Sequence, residues 1–215
     1  MLNLSPSAFF ASLITLIFAF TLHEFSHAWT ATLFGDETPK LYGRLTLNPL
    51  SHLDPMGSLM LLFTGFGWAK PVPVNLNRIR QHSRAAPLLV ALSGPFSNFL
   101  LALAASLPLR FGLVRSVAPR FDFFPTAYEF LVYFFFTNLG LMLFNLIPLP
   151  PLDGEEILIF FLPTSLERVY ENIRPYGPYI LIILLFLGPL VGFSLIDSVL
   201  SPAIFTLGRI LLGGF

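Results

Sequence analysis

AFFASLITLIFAFTLHEFSHAWTATLF, residues 8–34, is an apolar run that carries His23, Glu24 and His27 in its second half. Ser5-Pro6 suits a helix start and Gly35-Asp36 a stop, so a first span is expected over residues 7–34. About 28 helical residues at 1.5 Å each reach roughly 42 Å, enough to cross a hydrocarbon core. Residues four apart share one helix face, so the two imidazoles of H-E-x-x-H converge on one point. That point suits Zn²⁺, which takes neutral His nitrogens at about 2.0–2.1 Å. Glu24 lies one position round the helix, where it can take a proton from a water activated there. Ionisable groups are costly in hydrocarbon, and inside a span they mark a functional site.

The composition agrees with a membrane setting. Of 215 residues, 55% are hydrophobic and 11% charged, against about 25% charged in a soluble domain. Mean hydropathy is +0.76. These values exclude a soluble globule and a disordered chain, and zero net charge without a basic run gives no sign of nucleic acid. There is no cysteine. Disulfides, iron–sulfur clusters and thiolate zinc sites are excluded, so a metal must use His and carboxylates. MLNLSPSAFF has no basic n-region, and the first apolar run carries the motif, so a cleaved signal peptide is not expected.

The expected fold is an all-α polytopic membrane protein, with about 4–6 transmembrane or partly inserted helices and a small interfacial β-hairpin, in one domain over 1–215. Residues 36–83 read as a β-rich and re-entrant region. Tyr42 to Leu47 alternates polar and apolar, Asn48-Pro49 and Asp54-Pro55 are turn signals, and AKPVPVNLN reads as a second extended piece. Residues 56–67 are apolar but too few to span, hence re-entrant or partly inserted. A second span is expected over 84–110, with Gly94-Pro95 inside it, and a third over 127–147, ending at Pro148, Pro150 and Pro151. Helix resumes over 152–163, TSLERVYENIRP (164–175) is an amphipathic surface piece, and hydrophobic helices follow over 176–213, interrupted at Gly188-Pro189.

Lys and Arg set the orientation. Lys40, Arg44, Lys70, Arg78, Arg80 and Arg84, with Arg168 and Arg174 on the same side, outnumber Arg110, Arg115 and Arg120 opposite. The 35–84 side is then cytoplasmic, the N-terminus outside, and the His23–His27 point nearer the cytoplasmic face.

A zinc hydrolase keeps three protein ligands and one open position. The third ligand has eight candidates: His52, His82, Asp54, Glu129, Asp153, Glu155, Glu156 and Asp197. Asp153 is preferred, because it follows the Pro-rich break at about the depth of His27, although an Asp there can also serve as a helix N-cap. His52 and Asp54 suit local hydrogen bonding in a turn, His82 an interfacial surface, and Glu155 and Glu156 the dipole of a helix start. Asn98 and Asn145 are polar groups in spans. They either bond a neighbouring helix or donate to a developing oxyanion.

The blocks H23-E-F-S-H27, G43-R-L-T-L-N-P-L50, H52-L-D-P-M-G57, F66-G-W-A-K-P-V-P-V-N75, S93-G-P-F-S-N98 and N145-L-I-P-L-P-P-L-D-G154 closely resemble the site-2 protease family of intramembrane zinc metalloproteases, peptidase family M50. The likeness is to short prokaryotic members without PDZ or CBS domains, and it covers about residues 8–165. Leu76 departs from the Pro this subgroup often has there. The resemblance implies one zinc held by His23, His27 and Asp153, with Glu24 as catalytic base and acid. It also implies Asn98 and Asn145 near substrate or oxyanion. The implied substrate is a transmembrane helix of another protein in the lipid bilayer, cut in regulated intramembrane proteolysis, in a prokaryotic inner or plasma membrane. An edge of residues 41–50 and 70–78 would present a strand to the unwound substrate. Two other classes use the same residues: a membrane zinc carrier, which needs several metal sites along a path, and an inactive binding relative, which lacks a ligand or base.

Overall fold

A computed structural model describes residues 4–64, 67–116, 123–192 and 194–214. Arg120 of the loop used for orientation, and Gly65 and Phe66 of the expected re-entrant segment, lie outside the described residues.

The first span is helix α1, Pro6–Leu33. It starts where Ser5 accepts a hydrogen bond from the Ala8 N–H and Pro6 supplies a preset φ, and it stops before Gly35 at φ +80°. Ala11, Thr15, Ala19, His23, His27 and Ala31, each four residues from the next, are all buried. They form one ridge, and its small members let neighbouring backbones approach closely, which is how helices pack in lipid. Ile14, Phe18 and Trp29 project from the other side and are exposed, as lipid-facing groups should be. Thr21, Ser26 and Thr32 donate their hydroxyls to the carbonyls four residues back, so these polar groups cost little in hydrocarbon.

Residues 38–82 form short elements: α2 (Thr38–Leu41), α3 (Pro55–Thr64) and α4 (Leu76–His82). The β-hairpin expected here is corrected. Among the described residues there is no strand, and a single antiparallel bridge joins Leu53 to Ala69. Side chains take the place of a ladder. The Arg44 guanidinium donates to the carbonyls of Ser51 and Lys70. A His52 ring nitrogen bonds the Thr46 carbonyl at 2.8 Å. Buried Asp36 accepts from the Thr38 N–H and hydroxyl and from the Asn75 N–H. Residues 70–75 have no regular secondary structure, and Pro71 and Pro73 have no N–H, so a ladder could not run through them.

The second span is α5, Ala86–Arg110, with Pro95 and Pro108 inside it, and the third is α6, Ala127–Asn145, opened by a Thr126–Glu129 capping box. Helix α5 packs against both α1 and α6. Ala102 and Ala105 of α5 meet Phe135, Leu139 and Met142 of α6 in an apolar core. Helix α7 (Gly154–Phe161) leads to α8 (Thr164–Ile173) and α9 (Gly177–Ile182). From Ser165 to Val191 the chain is helical throughout 27 residues, amphipathic over α8 with Glu167, Arg168 and Glu171 and apolar beyond Arg174, so the expected surface piece runs on into the following span. The prolines of this stretch, Pro175, Pro178 and Pro189, each fall in the first turn of a new segment, where the helix changes between α, 3₁₀ and π geometry. Helix α10 (Ser201–Leu212) packs Ile204, Leu207 and Leu211 onto the α5–α6 core. Four helices are long and apolar enough to cross a bilayer among the described residues. The chain is an integral membrane protein.

Candidate active site

The ridge of α1 brings His23 and His27 side by side, with their Nε2 atoms 3.0 Å apart. Asp153 completes the group. Its Oδ2 lies 3.2 Å from His23 Nε2 and its Oδ1 3.3 Å from His27 Nε2. A tetrahedral zinc with bonds of about 2.0–2.1 Å needs its ligand atoms about 3.3–3.4 Å apart. The two imidazole nitrogens and the carboxylate lie within 0.4 Å of that spacing, and a donor set of two imidazoles and one carboxylate suits the metal.

Each imidazole is turned toward this point by a bond at its far nitrogen. His27 Nδ1 faces the Val90 carbonyl oxygen at 2.8 Å. A carbonyl only accepts, so Nδ1 carries a proton and Nε2 is the nitrogen turned to the shared point. His23 Nδ1 faces Asn98 Oδ1 at 2.7 Å, with the same result. Asn98 is wholly buried, and its NH₂ group bonds Asn138 Oδ1 at 3.0 Å and the Ala19 carbonyl at 3.4 Å.

Asp153 stands at the N-cap position of α7 with φ −60° and ψ −30°, yet its side chain makes no capping bond. The capping alternative is therefore not the geometry observed. Gly154 follows because a Cβ there would strike the backbone of Leu146 and Ile147. Behind Asp153, Arg174 pairs with Glu155 at 2.5 Å and with Glu156 at 3.1 Å, which ties the end of α8 to the start of α7. Glu155 and Glu156 thus serve an ion-pair network. Burial pushes the Glu155 carboxyl up, and Arg174 opposes the shift.

Glu24 is buried, and its Oε2 accepts the Val72 N–H at 3.1 Å. Val72 lies between Pro71 and Pro73, so its N–H is the one donor of that tripeptide. Among the described residues, the other candidate ligands do not join the cluster. Asp54 accepts from the Gly57 N–H, Glu129 closes the capping box, and His52 bonds Thr46. His82 sits against Gly35, and the Asp197 N–H bonds Ser194. Asn145 donates to the Leu141 carbonyl at 3.0 Å and lines the same cavity as Asp153. That cavity measures about 880 Å³. Its walls are mostly apolar, from α1, residues 67–76, α6 and the C-terminal helices, with His23, Glu24, His27 and Asp153 as its polar patch.

Three groups at this site escaped the sequence reading. Gly94 has an evident reason to be glycine, since a Cβ there would lie 2.6 Å from His23 Nε2 and closer still to His27 Nε2. Its signal was the Gly-Pro pair at mid-span, legible as a backbone irregularity but not as room for a metal. The Val72 N–H was marked by the P-V-P pattern. Asn138 was marked only as a lone amide in an otherwise apolar helix.

Comparison with known proteins agrees with this chemistry. Residues 123–188 match the family model described as Peptidase family M50. Over 182 residues the chain is 42% identical to YwhC of Bacillus subtilis (strain 168), covering 85% of this chain and 82% of that protein. It is 35% identical over 173 residues to Rip2 of Mycolicibacterium smegmatis, covering 76% of this chain and 62% of that protein. For Rip2 of Mycobacterium tuberculosis (strain H37Rv) the identity is 31%, covering 78% of this chain and 63% of that protein. All three relatives are named as candidate zinc metalloproteases. No solved structure matches the chain. The chain belongs to peptidase family M50 and is a site-2-type zinc metalloprotease of the membrane.

Proposed function

We propose that this enzyme hydrolyses peptide bonds within or next to the transmembrane helices of membrane-protein substrates, as in regulated intramembrane proteolysis. In this reading His23, His27 and Asp153 hold one zinc per chain and Glu24 moves the proton. The observation that carries it is the convergence of two imidazole nitrogens and both oxygens of one carboxylate, with contacts of 3.0–3.3 Å, beside buried Glu24 on the wall of an apolar cavity among long apolar helices.

When bound, zinc supplies a positive charge that polarises the scissile carbonyl and activates water. The protein supplies the rest. Val90 and Asn98 hold the imidazoles with their lone pairs inward. Glu24 takes a proton from the attacking water and returns it to the leaving amine nitrogen, and the Val72 N–H keeps its carboxylate in place. Asn145 lines the same cavity as Asp153 and keeps one amide hydrogen beyond its bond to Leu141, which it would donate to a developing oxyanion. Asn98 spends both ends of its amide on other groups, so its part is to position His23. The apolar cavity favours a hydrophobic substrate segment, which must unwind there because helical peptide bonds are shielded.

The excess of Lys and Arg over residues 35–84 supports a cytoplasmic position for that side, with the N-terminus outside and the site open to cytoplasmic water, in a prokaryotic inner or plasma membrane. The test is cleavage of a reconstituted single-span substrate, with the cut mapped by mass spectrometry. Cuts inside or beside the apolar segment, lost with Glu24→Gln, are expected. Cuts confined to a water-exposed loop would overturn the proposal.

A further inference from the structure

The metal-facing nitrogen of His23 is useful only if the ring proton sits on the other nitrogen, and the structure shows what decides this. His23 Nδ1 meets an amide, which can present either oxygen or NH₂ to it. If Asn98 turned over, its NH₂ would donate to Nδ1 and drive the proton to Nε2. His23 would then offer an N–H where a lone pair is required. The choice is fixed at the opposite end of a buried chain. Asn138 Nδ2 donates to the Phe134 carbonyl at 2.8 Å, and a carbonyl only accepts, so Asn138 must present its oxygen to Asn98. Asn98 must then give its NH₂ to Asn138 and its oxygen to His23. The Ala19 carbonyl, at 3.4 Å from Asn98 Nδ2, pulls the same way. Asn98 and Asn138 are both fully buried, so water cannot relieve a reversed bond.

We propose that Asn138 is a positioning residue of the catalytic centre, which sets the His23 tautomer through Asn98 and so makes zinc affinity depend on the mutual packing of α1, α5 and α6. The bland role for a buried asparagine in a span is to join two helices. That role does not require its direction to be fixed, and it would tolerate an apolar substitute of similar size. The two imidazoles therefore reach the same tautomer by different routes. His27 takes it directly from a backbone carbonyl, whereas His23 takes it through two side chains, which makes it the more easily disturbed of the pair.

This inference rests on the zinc reading of the site, and its test separates the two. Full-length protein in detergent is titrated with zinc against a chelator, for wild type, His23→Ala, Asn138→Leu and Asn138→Asp. A buried carboxyl in apolar surroundings stays protonated, so Asn138→Asp can still donate to Phe134 and accept from Asn98. Removal of a group that orients a metal ligand costs about 10–100-fold in metal affinity. Asn138→Leu should therefore bind zinc about 10–100-fold more weakly, and Asn138→Asp should recover most of the loss. In parallel, histidine-selective ¹⁵N NMR, at a pH where imidazole is neutral, of metal-free Asp153→Ala, which lacks the carboxylate that would otherwise draw the proton to Nε2, should show His23 with its proton on Nδ1. Asn138→Leu added to Asp153→Ala should show a mixture. Wild-type zinc affinity in Asn138→Leu, or a His23 protonated on Nε2 in Asp153→Ala, would overturn the relay. The second result does so even if Asn138→Leu fails to fold. Unchanged zinc binding in His23→Ala would instead overturn the site itself.

Discussion

Gly94→Ala adds one carbon atom, and the structure places that atom against the imidazoles of His23 and His27. The new Cβ would lie 2.6 Å from both Cε1 and Nε2 of His23 and closer to Nε2 of His27. Ordinary contacts of this kind begin at about 3.4–3.5 Å, so the imidazoles must withdraw by roughly 0.8 Å or more. Ligand distances at a zinc site tolerate about 0.2 Å. The rings cannot retreat easily, because Val90 and Asn98 hold their far nitrogens in a buried setting. Zinc should therefore bind at least about 100-fold more weakly, beyond the effect of losing one supporting hydrogen bond. The helix itself has no objection, since alanine is favoured over glycine in a helix interior by about 0.8–1 kcal/mol. This propensity offsets part of the overpacking cost of about 1–3 kcal/mol. The expected product is a folded membrane protein that has lost its metal. The assay is zinc content after chelator competition, with circular dichroism to establish the fold. Gly140→Ala is the control, for its Cβ would meet only Ile204 at an ordinary 3.7 Å. Stoichiometric zinc at wild-type affinity in Gly94→Ala, with cleavage retained, would refute the reading of His23 and His27, packed against Gly94, as metal ligands.

Other perturbations separate the remaining parts of the machinery. Glu24→Gln should keep its zinc while peptide cleavage falls by at least about 10²–10⁴-fold, measured on a reconstituted substrate, because the ligands remain and the proton carrier does not. Asp36→Ala removes the acceptor for two backbone N–H groups and one hydroxyl. It should cost about 2–3 kcal/mol and expose residues 67–78 to limited proteolysis, with a loss of activity as Val72 leaves Glu24. Arg174→Ala leaves Glu155 and Glu156 without their cation. Because the Arg174 side chain is 44% exposed, the loss should be modest, about 1 kcal/mol, read as a fall of about 2–4 °C in Tm with weakened zinc binding.

How far the sequence reveals this protein depends on how locally each feature is encoded. The spans α1, α5 and α6 were legible to within two residues, because length and apolarity decide a crossing helix and Ser5-Pro6, Gly35 and the prolines after Asn145 punctuate it. His23, Glu24 and His27 were legible because one helix carries all three. Asp153 needed the Pro-rich break and the family likeness, since its partners are more than a hundred residues away. The region from Tyr42 to Asn75 was misread. Its alternation resembles a strand, but Arg44, His52 and Asp36 satisfy the backbone with side chains, and Pro71 and Pro73 remove ladder donors. Asn98 was seen and Asn138 was not, because a polar relay across three helices leaves no spacing pattern in any one of them. The meaning of Gly94 was hidden for the same reason, since the atoms it makes room for belong to another helix.

The most direct measurement is X-ray absorption at the zinc edge on purified protein, with zinc content determined for wild type and Asp153→Ala. The prediction is one zinc per chain, with two imidazole nitrogens and carboxylate oxygen at about 2.0–2.1 Å, and loss or sharp weakening of zinc in Asp153→Ala together with cleavage. Full zinc content and an unchanged spectrum in Asp153→Ala, or a wild-type spectrum without two imidazoles, would contradict the His23–His27–Asp153 centre.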